Sequence, residues 1–226
     1  MKLVRSLHGR LPARLGRHSR PGTRGWLIER EMRYGGFVGG LTRHRASELD
    51  NRSLQWGRHS LMGGDRMSPR RHGYAPFYAR YLAPFLALGD AVTLVEVGIL
   101  RGTGLAIRSD LFPDGRIVGL DIGLPHFQGY VDRLSGMGAF EAGNHEVHEF
   151  DGFMDSRQYL ADILHEDRMH IVVDDASHAD ESIMTTFESL RGSWRTTLVI
   201  SLKTTRTYTS NWKGNIPNTA LCRSAN

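Results

Sequence analysis

Apolar and polar positions follow no steady rule up to residue 72, and then fall into a regular alternation of two periods. "VTLVEVGIL" (92–100), "RIVGLDIG" (116–123), "EVHEFDG" (146–152), "MHIVVDDAS" (169–177) and "TTLVISL" (196–202) are short runs rich in β-branched residues. They predict five strands. Between them "LAIRSDLF", the segment 126–138, "SRQYLADILHE" (156–166) and the segment 180–191 carry apolar residues at helical spacing. Strands alternating with helices of this length predict βαβ units and a parallel sheet covered on both faces, an α/β Rossmann-like architecture. Ahead of the sheet, "GYAPFYARYLAPFLALG" (73–89) has Phe77, Tyr81, Leu82, Phe85 and Leu86 at helical spacing but two internal prolines. The prolines predict two short helices or one kinked helix. "WLIEREM", from Trp26, is the best helix further upstream.

These patterns divide the chain into four parts. Residues 1–25 alternate Arg, Gly and Pro and predict a disordered basic arm. Residues 26–89 form a helical accessory segment, 90–202 a Rossmann-like core, and 203–226 an irregular, Thr/Asn/Ser-rich C-terminal stretch. The chain of 226 residues, 40% hydrophobic and 23% charged, has the composition of an ordinary globular protein. A lone cysteine, Cys222, excludes an intrachain disulfide and a cysteine-based zinc cluster. No stretch reaches the ~20 apolar residues that span a bilayer, and the start lacks the apolar core of a secretory signal, so a cytoplasmic location is expected. The Arg-rich, acid-free start also fits an organellar transit peptide.

The net charge of +5 is unevenly spread. Residues 1–72 hold 16 Lys+Arg against 5 Asp+Glu (net +11), and residues 73–226 hold 13 against 19 (net −6). A basic first third attracts anionic partners, and RNA binding is one function class it permits. No helix-turn-helix or aromatic-interleaved module accompanies the charge, so a solvated arm is the simpler reading and nucleic acid is not the expected partner.

The chemistry concentrates at the strand ends, where open parallel sheets hold their ligands. The first strand ends at Val97-Gly98 beside Glu96, the second at Asp121, the third at Asp151 and the fourth at Asp174-Asp175. Helix capping accounts for one or two acids so placed; four point to a common ligand. "EVGILRGTG" (96–104) puts Gly98, Gly102 and Gly104 after a buried strand, where glycine lets the backbone turn and approach a ligand closely. The spacing departs from the G-x-G-x-x-G dinucleotide fingerprint, which weakens an NAD reading. Asp121, about twenty residues on, is placed to hold the two hydroxyls of a ribose. In and just after "VVDDASH", Asp174, Ser177 and Asp180 also suit turn or helix capping, while His126, His145, His148 and His170 read as packing or surface residues.

"LVEVGILRGTGLAIRSDLFPDGRIVGLDI", "VHEFD" and "VVDDASH", preceded by "GGDRM" (63–67) and "HGYAPFYARYLAP" (72–84), together resemble the class I S-adenosylmethionine-dependent methyltransferases. Within them they look like the metal-dependent sugar O-methyltransferases of macrolide pathways, the mycinamicin and macrocin type. The resemblance covers roughly residues 60–191 and implies S-adenosylmethionine as cofactor and a glycoside as small-molecule substrate, with a homo-oligomer left open. It assigns Glu96, Gly98, Gly102 and Gly104 to the methionine end of the cofactor, Asp121 to the ribose, and Asp151 to the adenine. Asp174 joins the cofactor-binding set, Asp175 matches a Mg²⁺ ligand, and His178 matches the general base.

Two departures bear on this expectation. The family's fifth strand ends in Glu-Asp, which completes the metal site, whereas Ser201 and Leu202 stand there in "TTLVISLKTTRTYTSNWKG". A complete class I fold also needs two further strands, the last antiparallel, or roughly 50 residues after the fifth strand. Only residues 203–226 follow here. The sequence therefore predicts a sheet lacking its last two strands, and leaves a degenerate relative without turnover as the competing reading.

Overall fold

The computed structural model describes residues 19–35, 37–38, 41–42, 67, 73–87, 92–164, 169–177, 179–190, 194–203 and 219–223; in the strands 37–38, 41–42, 194–203 and 219–223 only the backbone is described. Helix α1 (Arg24–Gly35) leads to a two-residue hairpin of β1 (Phe37–Val38) and β2 (Leu41–Thr42). Helix α2 (Ala75–Leu82) and a 3₁₀ turn (Phe85–Ala87) follow. The break between them falls at Pro84, whose ring cannot continue a helix.

The core then runs β3 (Thr93–Val97), α3 (Thr103–Leu111), β4 (Arg116–Asp121), α4 (Pro125–Gln128), α5 (Val131–Gly136), β5 (His145–Glu149) and α6 (Arg157–Leu164). It ends with β6 (Met169–Asp174), α7 (Asp180–Leu190), β7 (Trp194–Lys203) and β8 (Thr219–Arg223). The expected helix over 126–138 is split in two at Gly129-Tyr130.

The six strands form one sheet in the order β5-β4-β3-β6-β7-β8, every neighbouring pair parallel. The chain fills one half outward from β3 to β5, then crosses to β6 and fills the other half. This reversal between β3 and β6 is the switch point of a doubly wound, Rossmann-like fold. Being central, β3 is buried along its whole length, which explains why its sequence is an apolar run rather than an alternation.

One sheet face presents Leu94, Ile117, Ile171 and Val173 to α1, α2, α3 and α4, through Leu27, Tyr78, Leu105 and Phe127. The other face presents Val95, Val118, Leu120 and Val172 to Leu160, Ile163 and Leu164 of α6. α1 is built into the first of these layers. Trp26, Leu27 and Tyr34 are buried, and the Tyr34 hydroxyl donates to Asp110 Oδ2 at 2.5 Å. Burial and that hydrogen bond push the Tyr34 phenol well above its ordinary value. Glu31, also buried, accepts the Met67 N–H on both carboxylate oxygens (2.8 and 2.9 Å), tying the segment ahead of α2 to α1.

The C-terminal stretch is a correction to the expectation of irregular chain. Thr219–Arg223 forms a sixth strand, parallel to β7, with Val199 opposite Thr219 and Lys203 opposite Arg223. It needs no long apolar run, because an edge strand such as β7 offers a row of unpaired N–H and C=O groups to any extended segment. Its parallel direction differs from the antiparallel last strand that the resemblance implies. Among the described residues no helix is long and apolar enough to cross a membrane.

His145, at the start of β5, supplies a pH-dependent element of this packing. Its ring stacks on Phe140 with centroids 4.0 Å apart and meets Phe127 edge-on at 6.5 Å. Burial pulls its pKa below the ordinary value. As pH falls, the unfolded chain takes up this proton first, so the stability is full above about pH 6.5 and is lost on going down through the lower folded pKa. His145→Phe is expected to flatten the fall in melting temperature between about pH 7 and pH 5, measured against the parent, and to leave it unchanged near pH 8.

Candidate functional site

The loop leaving β3 is held in an unusual backbone shape. Gly98, Leu100 and Gly102 all have positive φ (+85°, +49° and +81°). Leu100 is the costly member, since a side chain in the left-handed region is disfavoured by roughly 1–2 kcal/mol. It is held there by Asp121, at the end of β4, whose Oδ2 accepts the Leu100 N–H at 2.8 Å.

Gly98 extends the sheet in both directions: its N–H donates to Leu120 O at 2.7 Å, while the Asp175 N–H donates to Val97 O at 2.8 Å. A Cβ on Gly98 would lie 2.6 Å from the Asp175 carbonyl oxygen and 2.7 Å from Ala176 Cα, so the loops after β3 and β6 meet backbone to backbone. Neither partner is a flexible side-chain tip. Gly98→Ala is therefore expected to lower unfolding free energy by about 2 kcal/mol or more, read as a shift in urea midpoint.

Gly102 caps α3 with no side-chain hydrogen bond, so the first-turn N–H groups, including that of the buried Gly104, are left for whatever fills the loop. A Cβ on Gly102 would strike the Phe127 ring at 2.6 Å, and through Phe127 the loop rests on α4.

The acids divide into different roles. Asp121 is half-buried; its Oδ1 takes only a long 3.4 Å hydrogen bond from Gly123, which leaves acceptor capacity toward the cleft. Asp151 Oδ1 accepts the Phe153 N–H at 2.9 Å and shapes the turn after β5. Asp174 is 6% exposed and its Oδ1 accepts the Ala176 N–H at 3.2 Å, the turn-forming role. Asp175 is half-buried just beyond it. His178 lies outside the described residues.

Glu96, which the resemblance assigns to the methionine end of the cofactor, is held within the helix layer. Its carboxylate is fully buried and pairs with Arg108 Nη1 of α3 at 3.0 Å. Arg108 Nη2 in turn donates to the Tyr78 hydroxyl of α2 at 2.8 Å. Leu94 and Glu96 lie on one face of β3, and Leu94 packs in the cluster that holds Leu27, Tyr78 and Leu105. The pair ties β3 to α3, the strand and helix on either side of the loop.

Three residues escaped the sequence reading. Ile122 is 71% exposed directly after Asp121, and Phe153 (46%) and Met154 (61%) are exposed directly after the Asp151 turn. The ends of β4 and β5 are joined there by the Phe150 N–H to Asp121 O hydrogen bond at 2.7 Å. Ile122 directly after Asp121, and Phe153 two residues after Asp151, were the available signal.

The residues that the resemblance assigns to Mg²⁺ do not fit the ion. Asp174 is the register partner of Ser201, the last pair between β6 and β7, and Leu202 follows Ser201 in the chain. A hard cation needs several oxygen donors, mostly anionic, and neither replacement supplies a carboxylate. Among the described residues no group of three His, Cys, Asp or Glu converges.

The strand order, with helices packed on both faces of the sheet, defines a doubly wound α/β protein, and the glycine loop after β3, the uncapped start of α3 and Asp121 of β4 lie together at the carboxyl edge of its sheet. No protein-family model matches the chain, and no curated protein matches it. Among solved structures it is similar to the MycE methyltransferase from the mycinamycin biosynthetic pathway, in complex with Mg and SAH. The two are 21% identical, with a TM-score of 0.45, over 67% of this chain and 35% of that one. The chain thus spans well under half of that protein's length.

Proposed function

We propose that the chain binds S-adenosylmethionine across the ends of β3, β4 and β5 and transfers its methyl group to a sugar hydroxyl of a glycoside. The observation that carries this reading is the Asp121–Leu100 hydrogen bond, which fixes the glycine loop and the ribose-type acid relative to one another before any ligand arrives. The first-turn amides of α3 suit the carboxylate of the methionine end, Asp121 the ribose hydroxyls, and Ile122 with Phe153 and Met154 the faces of the adenine.

Methyl transfer is an in-line displacement: the acceptor oxygen bonds to the methyl carbon as the carbon–sulfur bond breaks, and the bond's electron pair stays on sulfur as the neutral thioether. Its main requirement is orientation. The hydroxyl proton goes to a base, and His178, three residues past Asp175, is the assigned one.

Calorimetric titration with S-adenosylhomocysteine tests the reading. Saturable 1:1 binding is expected, and no heat at millimolar ligand would sink it. The competing reading, a chain that binds the cofactor without turnover, is favoured by Ser201 and Leu202 at the acid positions. It predicts full cofactor binding with no methyl transfer from labelled S-adenosylmethionine to any glycoside tried.

A further inference from the structure

We propose that Gly152 is a positioning residue for the adenine side of the cleft: lacking a Cβ, it lets the turn after β5 lie directly on a row of hydroxyls along α7, which holds Phe153 and Met154 in place before a ligand arrives. The inference rests on the cofactor reading for what those two side chains meet. Its own basis is the contact between the turn and α7. Ser182, Thr186 and Ser189 recur at helical spacing on one face of α7, and all three are buried (4%, 2% and 4% exposed). A Cβ on Gly152 would lie 2.8 Å from Ser182 Oγ and 2.8 Å from Thr186 Oγ1. One turn further on, Ser189 Oγ accepts the Ser156 N–H at 3.2 Å.

The exposed pair is thus held from both sides. Between the two attachments the turn is closed by its own hydrogen bonds: Asp151 Oδ1 accepts the Phe153 N–H at 2.9 Å, Asp151 O the Met154 N–H at 3.1 Å, and Met154 O the Ser156 hydroxyl at 3.3 Å. Apolar side chains on a backbone fixed in this way lose less freedom when a flat ring settles on them, and such preorganisation raises affinity. The requirement at residue 152 is for space alone. The φ of Gly152 lies outside the left-handed region, so the backbone accepts alanine. Beyond the two hydroxyls, the nearest atom to the added Cβ is Phe150 Cε1, at an ordinary contact distance of 3.7 Å. Thr186 is branched at Cβ and has few rotamers, so the surface turn yields before the packed helix does.

The test follows S-adenosylhomocysteine binding to the full chain by calorimetry and by methionine-methyl NMR, with the Met154 signal assigned through Met154→Leu. In the parent, the Met154 signal is expected to shift on saturation, through the ring current of the adenine. Gly152→Ala is expected to weaken binding by about tenfold, because one extra methyl against a packed face displaces the turn. Gly152→Ala/Ser182→Ala/Thr186→Ala, with both hydroxyls gone from the path of the new methyl, should bind within about twofold of Ser182→Ala/Thr186→Ala. Urea midpoints measured alongside separate this role from a structural one: a residue that only supports the fold lowers the midpoint and leaves the affinity of the folded chain unchanged. Parent-like affinity in Gly152→Ala, no recovery in the triple variant, or a Met154 signal that stays put when S-adenosylhomocysteine saturates the parent would overturn the proposal. The last of these decides the case even where Gly152→Ala does not fold. No binding to the parent would overturn the cofactor reading and this inference with it, an outcome distinct from the other three.

Discussion

Arg108→Met is expected to lower the unfolding free energy by about 3–5 kcal/mol, because it leaves the Glu96 carboxylate charged and sealed beneath α3. Glu96 is fully buried and the Arg108 side chain is 2% exposed, so water cannot replace the lost partner. The Tyr78 hydroxyl loses its donor at the same time. A domain of this size is held by only about 5–15 kcal/mol in total, so the variant should sit near the edge of folding. The companion variant separates charge burial from packing. Glu96→Leu combined with Arg108→Met removes both charges and should recover most of the loss, since replacing a buried pair by apolar residues is often neutral. Urea denaturation of the two single variants and the double variant measures this coupling. A double variant no more stable than Arg108→Met would show that the pair contributes through shape and hydrogen bonds rather than through compensated charge.

Asp121→Ala is expected to weaken S-adenosylhomocysteine binding by at least about a hundredfold, from two losses that add. One is the pair of charge-assisted hydrogen bonds that the proposed function gives Asp121 with the ribose, each about 1.5–3 kcal/mol. The other is the restraint on Leu100, whose N–H would lose its 2.8 Å acceptor while its backbone stays in the left-handed region. Asp121→Asn separates them. Its amide oxygen can still accept the Leu100 N–H, so loop geometry should survive while the charge is lost, giving an intermediate affinity. Calorimetry on the parent and both variants gives the comparison. Equal affinities for Asn and Ala would place the whole effect on the carboxylate charge, and unchanged affinity in both would remove Asp121 from the site.

Much of the fold was legible because β and α segments here differ in period as well as composition. "TLVEV" reads as a central strand from its unbroken apolar run, and "RQYLADIL" as a one-sided helix. The limits were equally physical. Pro125 and the Gly129-Tyr130 break divide what spacing read as one helix. β8 was missed because its pairing comes from backbone groups on the edge of β7, which no side-chain pattern advertises. Asp121 and Asp174 close β4 and β6, and Asp151 lies two residues beyond β5, but a strand end does not say which way a carboxylate faces. Asp121 and Glu96 look alike as acids beside glycines. One takes the Leu100 N–H at the rim, and the other is closed beneath a helix.

The sequence by itself determined the α/β alternation, the positions of the glycine loop and the acids near the strand ends, and the uncharged Ser201 and Leu202 in the fifth predicted strand, because these depend on residue identity and near-neighbour spacing. The tertiary structure decided the order of the strands and the register that puts Ser201 beside Asp174 and Lys203 beside Arg223. It also decided the exposure of Ile122 and Met154 and the burial of Glu96. Those depend on which segments, remote in the chain, come into contact, and hydrophobic burial selects such contacts over the whole molecule at once.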